Sequence, residues 1–221
     1  MHAYSEEQLG TSLDTLGQML DYAVNGCKMP LRDFYSRFLA SRVADAFGAG
    51  FPKYLVGMSG IELAIEVLEE TGYEGNIPYD YAPGAPWVEY WTGMAIAYLQ
   101  WYTGHTFSYI DSHGMPIESV AEMFFPYHEA DLTKFLDVAL ERLEKFCRDA
   151  PQPVKEYREI LGISQEELAR RTGVSLRMIR AYEQGKQDLS RAEARTLLNL
   201  SWALHCSPEA LLPFAQMILQ R

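Results

Sequence analysis

No stretch of the 221-residue chain reaches the roughly 18 uninterrupted apolar residues that a membrane-spanning helix requires, so the sequence offers no transmembrane segment. Its opening, MHAYSEEQLG, lacks the basic-then-apolar pattern of a secretory leader. Cysteine is scarce: Cys27, Cys147 and Cys206 are odd in number and share no metal-ligand spacing. They read as free thiols of a reducing cytoplasm rather than as a disulfide framework. Also missing are an HExxH pair, a phosphate-binding glycine loop and a nucleophile elbow. No metal, cofactor or catalytic machinery is expected on that basis.

Basic charge is in short supply too, with 19 Lys and Arg against 30 Asp and Glu and a formal net charge of -11. The deficit is unevenly placed. Residues 151–221 hold ten basic and eight acidic side chains, a net +2, whereas residues 1–150 carry the remaining -13. An acidic part is therefore joined to a mildly basic one. What the chain has in abundance is hydrophobic residues, at 48%, and aromatic residues, at 13%, enough for folded cores.

The boundary is expected at Asp149-Ala150-Pro151-Gln152-Pro153, where two prolines end a long helical pattern. Upstream, Leu132, Phe135, Leu136, Ala139, Leu143 and Phe146 recur at helical spacing within 129–148. Ser5 with Gln8 and Ser59 with Glu62 fit reciprocal N-terminal caps. Stretches 31–47 and 87–102 read as further helices, each with a proline just before it. Turn chemistry at Asn25-Gly26, 72–84 and His113-Gly114 separates them. With no alternating strand run and no internal repeat, residues 1–150 read as one acidic, all-helical domain.

From residue 154 the punctuation becomes denser. A first helix over 154–161 ends before Gly162. Ser164-Gln165-Glu166-Glu167 fits a capping box that opens a second, 165–172. Gly173 follows where the chain must turn sharply, a place where left-handed backbone is cheap for glycine alone. Ser175 can cap a third helix over 176–184, which stops at Gly185. Ser190-Arg191-Ala192-Glu193 suggests another capping box, opening a helix that runs through Leu204, and Ser207-Pro208 opens a fifth. Leu168, Val174, Ile179 and Tyr182 are spaced to bury a shared face, with Ala169 small where two helices cross. The opposite face of the third helix keeps Arg177, Arg180 and Ala181 free, with Leu176 at its start. A helix presenting such a face can enter a DNA major groove about 12 Å wide.

The run ISQEELARRTGVSLRMIRAYEQGKQDLS, 163–190, resembles the phage-repressor-like (Xre, Cro/cI-type) helix-turn-helix family. The resemblance covers about 60 residues and implies an all-α, five-helix λ-repressor-like DNA-binding domain over 151–221. It implies that Gln165 meets a phosphate and that Leu176, Arg177 and Ala181 face bases, with Arg180 beside them. Ser175 caps that helix at the same face, and Gln184, Gly185 and Lys186 would meet the backbone beyond it. Arg158 and Glu183 fall where the family places a structural ion pair. Leu176 and Ala181 depart from the glutamine and asparagine often found at base-facing positions, which leaves base reading resting heavily on Arg177. Double-stranded DNA and a second copy of the chain are the partners so implied, for a transcriptional regulator acting as a dimeric repressor.

The acidic domain is less explicit. Two tyrosine- and proline-rich stretches, YEGNIPYDYAPGAPW and HTFSYIDSHGMP, flank a helix bearing Trp87, Tyr90, Trp91, Tyr98, Trp101 and Tyr102. These rings are read either as core packing or, at Trp87, Tyr90 and Trp91, as a surface for a partner protein. Asp111, His113, His105 and Glu89 are the candidates for a metal or acid–base site, although Asp-Ser-His-Gly is also ordinary turn chemistry. The domain loosely resembles helical segments of regulators encoded beside small toxins. That likeness implies an alternative, an antitoxin-like protein that sequesters a partner through residues 1–150.

Overall fold

The computed structural model describes residues 2–82, 88–149 and 152–212, the side chains of 147–149 excepted. The architecture is all-α, and among the described residues there is no strand. The chain divides into two compact units, Met1–Leu143 and Glu144–Arg221.

In the first unit, α1 (Glu6–Asp21) continues into a π-helical turn, Tyr22–Gly26. Then come α2 (Leu31–Ala40), α3 (Arg42–Gly48), α4 (Pro52–Leu55) and α5 (Gly60–Glu70). They are followed by α6 (Val88–Thr103), α7 (Phe107–Ser112), α8 (Ile117–Glu122), α9 (Phe124–Tyr127) and α10 (Leu132–Asp149). The capping box at Ser59 and Glu62 is formed, each side chain bonding the other's backbone N–H. At Ser5 only half of the expected pattern exists: its hydroxyl accepts from the N–H of Glu7. The single helix expected over 31–47 is broken at Ser41, whose backbone is extended (φ -89°, ψ 156°) and whose hydroxyl turns back to the carbonyl of Phe38.

The core of this unit is built on α1 and α6, which approach so closely that glycine is required. A Cβ on Gly93 would lie 2.3 Å from the carbonyl oxygen of Leu16 and 2.7 Å from the Cα of Gly17. Leu16, Met19, Leu20, Phe34, Phe38, Leu63, Ile96 and Phe107 are fully or almost fully buried around that crossing. Arg32 ties α2 to the α7–α8 region through Asp111 (3.0 and 2.9 Å) and Glu118.

The second unit contains α11 (Pro153–Ile160), α12 (Gln165–Thr172), α13 (Leu176–Glu183) and α14 (Ala194–Ala203). Two 3-10 turns, Leu189–Arg191 and Pro208–Leu211, accompany them. The Ser190 box expected to open the fourth helix does not form. Asp188 instead accepts from the N–H of Ser190, the residues behind it make the 3-10 turn, and α14 starts only at Ala194. Ser207 caps the last turn as expected, accepting from the N–H of Ala210. Val154, Leu168, Ile179, Tyr182, Leu189, Leu200, Leu204 and Leu211 form a separate core.

Candidate nucleic-acid interface

The turn between α12 and α13 is fixed by short-range chemistry. Gly173 closes α12 at φ 71° and ψ 6°, and its N–H bonds back to the carbonyl of Ala169. This is the left-handed conformation for which glycine carries no Cβ penalty. Thr172 accepts from the N–H of Val174 (3.2 Å), Asn199 on α14 donates to the carbonyl of Thr172 (2.9 Å), and Ser175 accepts from the N–H of Met178 (3.3 Å). Leu168, Ile179 and Tyr182 are buried, with Ala169 and Val174 packed against them. Both helices are thereby held by one apolar face, and the other face of α13 points to solvent.

That outer face collects most of the residues expected from sequence. Ser175, Arg177, Arg180, Gln184 and Lys186 are exposed, while Leu176 and Ala181 are half-buried. All seven line one shallow depression, which Met178 and Gln187 complete. Arg177 and Lys186 make no hydrogen bond or ion pair among the described residues. Gln165 lies outside the depression, at the start of α12, and is tied inward.

A chain of polar contacts runs behind this face. Arg158 donates to both oxygens of Glu183, at 2.6 and 2.9 Å, and to the carbonyl of Ile163. The Glu183 carboxylate raises the Arg158 pKa further above its ordinary value. Glu183 also accepts from the amide NH2 of Gln165 (2.8 Å), whose oxygen accepts from Arg180 Nε (3.3 Å). Arg180 Nη2 reaches Glu166 Oε1 (3.3 Å). Sequence reading anticipated the first of these pairs but not the last three contacts, because they depend on how α12 crosses α13. Arg170 and Arg171, exposed on α12, are both engaged by Glu167 at 2.7–2.9 Å. Those two guanidiniums hold the Glu167 carboxyl at about 2. Charge on α12 is thus largely cancelled within the helix, and the unpaired cations stand on and just beyond α13.

The candidates of the first unit sit differently. Trp91 is 7% exposed and packs edge-on against Phe124 and Phe135, which makes it a core residue with little surface to offer a partner. Tyr90 is half-buried and donates its hydroxyl to Asp14. Trp87 lies outside the described residues. Asp111 is taken up by Arg32 and by the N–H of Ile117 (3.1 Å). His113 is buried and stacked on Tyr109, whose ring also stacks with His105. Glu89 accepts from Asn25 (3.1 Å). Among the described residues no three His, Cys, Asp or Glu side chains gather as metal ligands, and no helix is long and apolar enough to cross a membrane.

Two apolar-faced helices, a left-handed glycine and an outward basic face define the second unit as a helix-turn-helix domain of the DNA-binding class. A helix-turn-helix family model matches residues 154–209. Over that span the chain is a helix-turn-helix of the Xre/cI-like kind, which supports a DNA-binding transcriptional regulator. No curated protein and no solved structure matches the chain.

Proposed function

We propose that the chain is a sequence-specific repressor that binds operator DNA as a homodimer, with residues 176–184 as its recognition helix. The observation that carries the reading is Arg177, an exposed and unpaired guanidinium on the first turn of α13. There it suits bidentate binding to guanine, the commonest specific contact in a major groove. Leu176 and Ala181 beside it suit apolar contact with a thymine methyl. Gln184 and Lys186 suit phosphates just past the helix. Gln165, with one amide N–H spent on Glu183, has a second available for a phosphate.

An eight-residue helix reads few base pairs, which is the argument for a dimer. Two-fold symmetry would set the second reading helix about 34 Å along the duplex. The acidic first unit, repelled by DNA, would lie away from the duplex or join the two copies, and a cytoplasmic location goes with the reading.

The test is selection of bound duplexes from a random library by the full chain, followed by footprinting. The reading expects a consensus of two inverted half-sites about one turn apart. Recovery of no enriched sequence would overturn it.

The net charge of -13 over residues 1–150 favours one alternative. In it that unit holds a basic partner protein in the manner of an antitoxin, and DNA binding is secondary. Co-expression with the product of the adjacent reading frame separates the two: a tight complex through residues 1–150 supports the alternative, and a partnerless homodimer opposes it.

A further inference from the structure

We infer that Glu166 is a negative determinant of DNA affinity, holding Arg180 against α12 until a phosphate displaces it. The inference rests on the DNA-binding reading above and assigns a regulator of the same face. Arg180 is one of three cations of the reading depression, and the only one of the three engaged by an acid. Its Nη2 meets Glu166 Oε1 at 3.3 Å and its Nε meets Gln165 Oε1 at 3.3 Å, whereas Arg177 and Lys186 carry no such contact. The pair is open to water, the side chains being 51% and 63% exposed, so it can part.

Glu166 itself is well anchored. It occupies the first turn of α12, where the helix dipole favours a negative charge. Arg180, on a long flexible stem, is therefore the member that moves. When it moves to DNA it exchanges a carboxylate for a phosphate. One cation leaves the duplex, one returns to Glu166, and the step releases no net counterion. With glutamine at 166 the guanidinium arrives unpaired and displaces a cation outright.

Three variants of the full chain, Glu166→Gln, Arg180→Ala and the double substitution, would be titrated beside the wild type. The probe is a fluorescent random-sequence duplex, followed by anisotropy over a series of salt concentrations. Glu166→Gln should tighten binding about two- to five-fold, the range of an exposed ion pair. It should also steepen the dependence of log K on log salt by about one. In the Arg180→Ala background the same substitution should do nothing. Binding by the wild type with no gain from Glu166→Gln would overturn the role of Glu166 alone. So would an equal gain in both backgrounds, which would mark mere removal of a negative charge near DNA. Absence of binding by every variant would overturn the DNA reading and this inference with it.

Discussion

The Arg158 guanidinium and the Glu183 carboxylate meet through two parallel hydrogen bonds, bolting α11 to the last turn of α13. Their side chains are 12% and 2% exposed. A carboxylate so enclosed is stable only while its partner stays, and breaking such a pair from one side costs about 3–5 kcal/mol. Glu183→Ala should lower the denaturant midpoint of the helix-turn-helix unit accordingly. Replacing both residues together, Arg158→Met with Glu183→Leu, should recover most of the loss. If the single substitution left the midpoint in place, the pair would be ornamental.

Two basic residues of the same depression should behave differently. Arg177→Ala should relax base preference at one operator position and cost about 1–3 kcal/mol there. Lys186→Ala, beyond the helix end, should weaken binding to all sequences alike and reduce the salt slope by about one. Competition titrations with singly substituted operators separate the two. Preference unchanged by Arg177→Ala would show that another side chain does the reading.

Much of the second unit was legible because its signals are local. The start and end of α12 follow from Ser164 and Gly173, and the start of α13 from Ser175, residues that act on backbone groups within four positions of themselves. Where a signal had competitors, it failed. Asp188 took the backbone N–H of Ser190 before the expected box could form. Ser41, inside a strongly helical pattern, bonded backward and ended the helix. The contacts of Arg180 with Gln165 and Glu166 were out of reach, since 14 or 15 residues separate partners that only the crossing of two helices brings together. The aromatic helix left two readings open, and Trp91 is in the core because Phe124 and Phe135, far along the chain, close over it.

Tyrosine burial gives the first unit an alkaline limit. Burial, above all, pushes Tyr4, Tyr81 and Tyr90 up to about 12. Tyr81 and Tyr90 also donate to Asp21 and Asp14, carboxylates that resist a second negative charge beside them. The folded chain therefore holds these protons more tightly than the unfolded chain, whose phenols ionise near 10. The contribution is whole below pH 10 and falls away as pH rises from about 10 to 12. Tyrosinate absorbance and helical dichroism recorded together should change in step over that window. Full ionisation of the phenols near pH 10 with helix content intact would contradict it.

The contact between α1 and α6 sets the sharpest requirement in the first unit. Nothing in the sequence marked it, because a glycine inside a helical pattern reads merely as a tolerated weakness. A methyl group at Gly93 would press on the Leu16 carbonyl at 2.3 Å and the Gly17 Cα at 2.7 Å, backbone atoms that cannot yield unless the helices part. Gly93→Ala should therefore cost at least the ~1–3 kcal/mol of an overpacked core. Gly10 supplies the control. It lies exposed on α1 with no atom within 4 Å of a modest added side chain, so Gly10→Ala should stabilise by about 0.5–1 kcal/mol through helix propensity. Thermal unfolding of the two variants should thus move in opposite directions from the wild type. A Gly93→Ala chain melting at or above the wild-type midpoint would mean that α1 and α6 can stand further apart without loss.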